Sequence, residues 1–175
     1  MNPDNPLNFG SDIESNEWTD DYERILKNVL HNSTLMSDHH KKEHLQYSNR
    51  LKWYKLPVIV FSGVNSIISI GGSSFFSQSA TSFTNCFISL LISVIGSIEL
   101  FLQITKRSDQ ELKSYYDFYN LSVKISTLLK LDKHHREHDP KLFITNIINE
   151  YTTLVNESLI NGLSDNDKLI KLDIN

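Results

Sequence analysis

Residues 56–76 read LPVIVFSGVNSIISIGGSSFF and residues 86–105 read CFISLLISVIGSIELFLQIT. A hydrocarbon core of about 30 Å needs roughly 20 helical residues to cross it, and each stretch meets that length. The two stretches share one formally charged residue, Glu99. Because only residues 77–85 separate them, the sequence predicts a membrane hairpin of two helices. The alternative is that both are buried helices of a soluble helical bundle.

Basic and aromatic residues lie at the outer ends of the two stretches, as they do where a transmembrane helix meets lipid headgroups. The predicted membrane-interface residues are Lys52, Trp53, Tyr54 and Lys55 before the first stretch, and Lys106 and Arg107 after the second. The connecting residues 77–85 carry no charge. Because Lys and Arg are enriched in short cytoplasmic loops, we expect an integral membrane protein with both termini in the cytosol.

The overall composition excludes few function classes. The chain has 175 residues, a net charge of −4 and 39% hydrophobic residues, an average that is typical of a soluble single-domain protein. The average hides a polar chain with an apolar middle. Nucleic-acid binding calls for a basic face, so we expect no nucleic acid as partner. The two predicted spans make the lipid bilayer the expected partner. The single cysteine, Cys86, cannot form an internal disulfide.

The rest of the chain predicts an all-α protein. Residues 1–16 have the Pro, Asn, Asp and Gly content of a flexible tail, and residues 163–175 form a second tail. Apolar residues at helical spacing predict cytosolic helices over residues 17–30, 37–55, 106–133 and 140–161. Polar residues 31–34 predict a break, whereas the helix after the second span continues without one. Asp139 and Pro140 are typical of a helix start. We therefore expect the span helices to extend into a cytosolic helical bundle.

Small and polar residues recur along one face of each span. Serine occupies positions i, i+4, i+7 and i+11 of the first span, and the second repeats the start of this spacing. In lipid, such faces permit close helix packing, within the hairpin or between copies. They could also form the wet lining of an oligomeric pore. The predicted pore-lining or helix-packing residues are Ser62, Asn65, Ser66, Ser69, Ser73, Ser89, Ser93, Gly96, Glu99 and Gln103.

Glu99 is the ionisable residue of the spans, and such a group is costly unless it is neutralised, paired or in contact with water. Its side chain could extend towards Lys106 and Arg107 or be protonated. Alternatively, the copies of Glu99 in an oligomer could form a ring of carboxylates at a pore mouth, which favours cations.

Histidines form two clusters, His39, His40 and His44 before the first span, and His134, His135 and His138 before the last helix. A zinc site could be built from such residues, but no cysteine accompanies them and both segments are polar. We expect no metal and no cofactor. No catalytic motif occurs, so we expect a protein that is not an enzyme.

Residues 49–158 resemble the SMODS- and SLOG-associating two-transmembrane effector (SLATT) family, which includes stand-alone copies in large DNA viruses. The resemblance is carried by NRLKWYKLPVIVFSGVNS (residues 49–66), GSIELFLQITKRSDQELKSYYDFY (residues 96–119) and LKLDKHHREHDPKLFITNIINEY (residues 129–151). It implies a membrane effector that forms a homo-oligomer and opens a pore, or otherwise perturbs the membrane, when a sensor fires. Since no sensor domain fits into this chain, either the trigger would come from a sensor protein partner or there is none.

The Asn-, Ile-, Lys- and Ser-rich texture of the chain is typical of AT-rich genomes, including those of large viruses. It suggests a rival function, in which the chain is a structural membrane protein of a large DNA virus particle. Such a protein would anchor an internal membrane to a capsid partner.

Overall fold

The computed structural model describes residues 17–136, 139–158, 169, 170 and 172. Throughout these residues the regular structure is helical and contains no strand, which confirms the all-α class. The described elements are α1 (Asp20–Gly71), a 3₁₀ turn (Gly72–Ser74), α2 (Gln78–Leu102), α3 (Ile104–Lys130), a second 3₁₀ turn (Lys133–His135) and α4 (Pro140–Glu157). The predicted tail 1–16 and most of the predicted tail 163–175 lie outside the described residues, as does the predicted helix stop near residue 161.

Helix α1 is one continuous helix of 52 residues, about 78 Å long at 1.5 Å per residue. Thr19 caps its start, because the Thr19 hydroxyl accepts a hydrogen bond from the Tyr22 backbone N–H. The predicted break at residues 31–34 is wrong. Asn32 and Ser33 are buried and Thr34 donates to the Leu30 carbonyl, so tertiary contacts keep these polar residues helical.

Pro57 lies inside α1 rather than at its end.

The connection between α1 and α2 is shorter than the sequence suggested. Helix α1 ends at Gly71 and α2 begins at Gln78, where the Ser77 hydroxyl accepts from the Ala80 backbone N–H. Much of the predicted loop 77–85 is therefore the first two turns of α2.

The predicted unbroken helix after the second span is interrupted at Gln103. This residue has φ 50° and ψ 35°, a left-handed conformation, and it separates α2 from α3. Few residues other than glycine adopt that conformation, because Cβ then crowds the following carbonyl. The sequence has no glycine or proline at the break, so its helical pattern predicts one continuous helix.

The first half of α1 packs against α3 and α4 around a hydrophobic core, called the core region below. Phe118, Leu121 and Ile125 of α3 are fully buried there. Ile144 and Tyr151 of α4 are buried and join this core. Asp139 caps α4 as predicted, with its carboxylate accepting from the Leu142 backbone N–H at 3.0 Å.

The core region is closed at one end by Arg136, whose side chain is buried. Its guanidinium donates to Glu23 at 2.7 Å and to the Leu131 carbonyl at 2.9 Å, and it lies over the Trp18 ring at 5.3 Å. The hydrogen bond from Arg136 holds the pKa of Glu23 below its ordinary value. This contact ties the start of α1 to the segment that precedes α4.

Candidate functional site

The second half of α1 and most of α2 leave their apolar side chains exposed; these two segments are called the apolar pair below. The most apolar 18-residue windows of the two helices are 0% and 6% buried. Ile67 is 74% exposed and Phe101 is 86% exposed, whereas Phe118 and Ile125 of the core region are fully buried. Both helices are long and apolar enough to cross a membrane.

The two helices of the apolar pair contact each other along one seam, and they run in opposite directions. The Asn65 amide donates to the Ser89 hydroxyl at 3.4 Å, and the Asn85 amide donates to the Ser69 hydroxyl at 3.0 Å. The less exposed positions of α1 in this region include 58, 61, 65 and 68, and those of α2 include 81, 85, 88, 92 and 95. These alternate steps of three and four residues are typical of a left-handed coiled-coil seam.

Three polar atoms of the seam are buried with no hydrogen-bond partner among the described residues, Asn65 Oδ1, Thr81 Oγ1 and Asn85 Oδ1. A buried unpaired carbonyl oxygen costs about 1–3 kcal/mol. Sequence reasoning included Asn65 among the polar residues but missed Asn85. Helical spacing could have indicated it, because Asn85 lies seven residues before Ile92 and therefore on the same face of α2 as Ile92.

Most of the predicted small-residue positions face away from this seam. Ser62, Ser66, Ser93 and Gly96 are exposed, and a Cβ placed on Gly96 would meet nothing within 4 Å. Ser69 and Ser89 instead accept hydrogen bonds across the seam. The described side chains do not include that of Ser73.

Three serine hydroxyls of the first span are satisfied within α1 itself. Ser62 and Ser66 donate to the carbonyls four residues earlier, at 2.7 and 2.9 Å. Ser69 does the same while accepting from Asn85. This outward face therefore carries small side chains whose hydroxyls are already hydrogen-bonded within α1. Another helix can pack closely on such a surface.

Glu99 lies next to the break between α2 and α3. The Thr105 hydroxyl donates to Glu99 Oε1 at 2.6 Å, so this hydrogen bond spans the left-handed residue Gln103. A cavity of about 780 Å³ opens beside it. Its lining is Glu99, Leu100, Gln103, Thr105, Lys106, Asp109, Gln110 and Lys113. The sequence suggested Lys106 and Arg107 as partners of Glu99, but the partner that the structure gives is Thr105.

The predicted membrane-interface residues lie at the junction between the apolar pair and the core region. Trp53 is 81% exposed, Tyr54 is half-buried, and Lys52, Lys55, Lys106 and Arg107 are exposed. Lys52 also donates to the Asn49 side chain at 3.3 Å. The basic and aromatic side chains of α1 and α3 therefore lie at the same end of the apolar pair.

The histidine clusters form contacts that sequence reasoning missed. His40 is buried, its Nδ1 lies 2.6 Å from Glu111 Oε2, and its ring stacks on Phe118. His44 Nδ1 lies 2.9 Å from the Ser108 carbonyl. Within the described part of the chain, no three potential ligands converge on a metal position; His138 lies outside it. The four-residue spacing of His40 and His44 therefore serves to pair α1 with α3.

Comparison with known proteins finds one viral relative. The chain is 26% identical over 139 residues to the uncharacterized protein VP11 of Micromonas pusilla reovirus (isolate Netherlands/2005), covering 79% of this chain and 72% of the relative. No protein-family model matches the chain. No solved structure matches it either. The chain is thus an all-helical protein with two candidate membrane-spanning helices that is similar to a viral protein.

Proposed function

We propose that this protein is a non-enzymatic, two-pass integral membrane protein that assembles with copies of itself and opens a pore in the bilayer or otherwise perturbs it. The observation that supports this proposal best is the exposure of the apolar pair, with 0% and 6% of its most apolar windows buried. Soluble monomers rarely expose apolar patches of more than a few hundred Å². Lipid is the solvent in which such a surface is stable.

The soluble-bundle alternative gains no support from this exposure. In a soluble bundle the apolar pair would be enclosed by its own chain, as Phe118 and Ile125 are in the core region. Instead Ile59, Ile67 and Ile70 of α1 are all more than half exposed. A helix also satisfies its own backbone hydrogen bonds, as a lipid-exposed segment must.

Self-assembly is supported by the outward faces of the apolar pair. The exposed serines and Gly96 permit close approach of a second hairpin. An assembly around a wet interior would place the exposed Gln103 near the lining, whereas Asn65 and Asn85 would stay in the seam within each hairpin.

Orientation follows from the interface residues. With Lys52, Lys55, Lys106 and Arg107 all at one end of the apolar pair, the Lys/Arg bias assigns that end to the cytosol. The connection between α1 and α2 then lies across the membrane, and the core region is the cytosolic bundle in which a sensor partner would act.

A cysteine-labelling experiment tests this topology. In a Cys86→Ser background, Ser79→Cys places a thiol near the start of α2 and Asn120→Cys places one on exposed α3. A membrane-impermeant maleimide added to intact cells should label position 79 and not position 120. Equal labelling of both before lysis would contradict the two-pass topology.

Ion conduction tests the pore. Glu99→Gln removes the charge but keeps an oxygen that can accept from Thr105, so the hairpin should still insert. We expect the reconstituted variant to lose cation preference relative to the wild type, because the carboxylate ring is gone. Asp117→Asn, a charge change on α3, is the matched control and should leave conduction unaltered. A wild-type cation preference in Glu99→Gln would contradict a role for Glu99 in the pore.

A structural role in a virus particle is the second candidate, and the similarity to a viral protein fits a virion origin. Under this proposal the core region binds a capsid partner while the apolar pair holds an internal membrane. A scaffold should co-purify with particles at high copy number, whereas an effector should depolarise cells when expressed alone. These two results separate the candidates.

A further inference from the structure

The cavity of about 780 Å³ beside Glu99, called the junction cavity below, lies where the apolar pair meets the polar part of α3. The last turn of α2 supplies Glu99 and Leu100 to it. The α3 residues that line it are spaced i, i+3, i+4 and i+7 and therefore share one face of the helix. They are Lys106, Asp109, Gln110 and Lys113. The junction cavity thus combines a helix end from the apolar pair with a polar helix face.

The ionisable groups that line the junction cavity are two carboxylates and two ammonium groups, so their formal charges cancel. They are Glu99, Asp109, Lys106 and Lys113. In the part of the chain that the structure describes, no ion pair joins any of these groups to another. Lys113 lies 3.5 Å from Glu157 instead, and Glu99 accepts a hydrogen bond from Thr105. The charges of Lys106 and Asp109 therefore stay open to a ligand.

Lys106 and Asp109 together fit a chemical group that carries both charges. Residues three apart on a helix have Cβ atoms about 5–6 Å apart, so the ammonium and the carboxylate belong to neighbouring positions of one helix face. A simple anion would be attracted by Lys106 but repelled by Asp109, and a simple cation would experience the reverse. A phosphate joined to an amine by a short linker would be attracted by both.

The surroundings of these two residues favour a lipid as the source of that group. Leu100 lines the junction cavity, and both Leu100 and the adjacent Phe101 are exposed. An acyl chain would therefore find apolar surface next to the charged groups. Lys106 also lies at the level expected for lipid headgroups, and basic pockets on the cytosolic side of membrane helices bind such headgroups. A soluble phosphoamine would leave the apolar surface uncovered.

The lining also distinguishes between kinds of amine. Quaternary ammonium groups, such as that of choline, are typically recognised by aromatic rings, and none of the described residues that line the junction cavity is aromatic. A primary ammonium has three N–H donors, which a carboxylate accepts in charge-assisted hydrogen bonds. An ethanolamine headgroup therefore fits this cavity better than a choline headgroup does.

We propose that the junction cavity binds the headgroup of a phospholipid that carries a phosphate and a primary amine, with Lys106 on the phosphate and Asp109 on the amine. Glu99 keeps its hydrogen bond to Thr105 and is not a ligand. The proposal rests on the proposed membrane insertion but not on self-assembly or on a pore. A lipid bound in this way would hold the start of α3 at the membrane surface.

Native mass spectrometry of the full-length protein, delipidated in detergent, tests this site. Phosphatidylethanolamine, phosphatidylcholine and phosphatidylglycerol are titrated separately, each with two oleoyl chains, so that only the headgroup differs. We expect phosphatidylethanolamine to bind about tenfold more tightly than phosphatidylcholine, because the choline headgroup cannot donate hydrogen bonds to Asp109.

Two variants separate recognition of the phosphate from recognition of the amine. Lys106→Gln should weaken the binding of phosphatidylethanolamine and of phosphatidylglycerol by about tenfold, because both lipids carry the phosphate. Asp109→Asn should weaken phosphatidylethanolamine by a similar factor without weakening phosphatidylglycerol, which has no amine. The matched controls Lys130→Gln and Asp38→Asn alter exposed residues outside the junction cavity and should keep the wild-type preference. Circular dichroism checks that each variant retains its helices.

Several results would overturn the proposal. Equal binding of the three lipids by the wild type would do so, as would a preference for phosphatidylethanolamine that survives Asp109→Asn. Equally tight binding of soluble phosphoethanolamine would remove the lipid as the source of the headgroup. A dimer that excludes lipid and dissociates in Lys106→Gln would assign the junction cavity to a second copy of the chain.

Carbonate extraction of membranes that contain the same protein distinguishes a failure of this site from a failure of the proposed function. Protein that stays in the pellet but has no preference for phosphatidylethanolamine would keep the membrane insertion and remove the headgroup site. Protein released into the supernatant would remove both.

Discussion

The two halves of α1 belong to one helix but have opposite surroundings. In the core region, Leu26, Val29 and Met36 are fully buried against α3 and α4, whereas in the apolar pair Ile67 and Ile70 are 74% and 87% exposed. The first half is amphipathic and packs against protein, and the second is apolar on most sides. The second half of α1 therefore exposes apolar side chains that no other described part of the chain covers.

The largest expected effect compares two phenylalanines. Phe118 is fully buried and contacts His40 and Tyr151, and Phe101 is 86% exposed. Phe118→Ala should destabilise the protein by about 3–5 kcal/mol because it leaves a cavity. Phe101→Ala should change the stability by less than about 0.5 kcal/mol. Urea unfolding in detergent, followed by tryptophan fluorescence, measures both. Equal losses would contradict the distinction between the two regions.

A lysine in the apolar pair gives the next largest effect. Ile67→Lys should disfavour membrane insertion by about 3 kcal/mol, because a charge near the centre of a span is costly. The matched control, Leu45→Lys, alters an exposed residue of α1 before the interface and should insert normally. Insertion is measured by fractionation after in vitro translation with microsomes. Normal insertion of Ile67→Lys would indicate that position 67 does not contact lipid.

A smaller effect is expected where the two regions join. Gln103 has φ 50°, which costs roughly 1 kcal/mol for a residue with a Cβ. Gln103→Gly should therefore raise or leave unchanged the melting temperature, although glycine adds freedom to the unfolded chain. Gln103→Val should lower it. A melting temperature that falls more in Gln103→Gly than in Gln103→Val would argue against a left-handed break.

The smallest effect concerns pH and is confined to the core region. The Arg136 hydrogen bond holds the pKa of Glu23 below its ordinary 4.5. A carboxyl with a lowered folded-state pKa contributes stability that is present above pH 4.5 and is lost as pH falls through the folded-state pKa. The melting temperature of the wild type should drop in that range, and Glu23→Gln should reduce the slope. An equal slope in both proteins would remove this pair as its cause.

Sequence reasoning identified the apolar stretches, the all-α class and the start of α4, because periodicity and capping are local properties. It failed at residues 31–34, where the local preference of Asn32 and Ser33 for a break is overcome by burial. It also missed the break at Gln103, a left-handed residue with no glycine to mark it. Long-range pairs such as His40 with Glu111 depend on how α1 and α3 align, which one sequence does not encode locally.

The candidate site was predicted in part. The serine positions, Asn65, Glu99 and Gln103 all lie in or beside the apolar pair, but their faces could not be assigned from spacing alone. The seam between α1 and α2 uses Asn65 and Asn85 rather than the serine face as a whole. The short connection at residues 72–77 determines which faces of α1 and α2 pack together. The sequence predicted a longer connection.

The central claim is that lipid surrounds the apolar pair. Alkaline carbonate extraction of membranes from cells expressing the full chain tests it most directly, because carbonate releases peripheral proteins and leaves embedded helices in the bilayer. The protein should stay in the pellet after high-speed centrifugation and leave it only with detergent. Recovery of the protein in the carbonate supernatant would contradict the account.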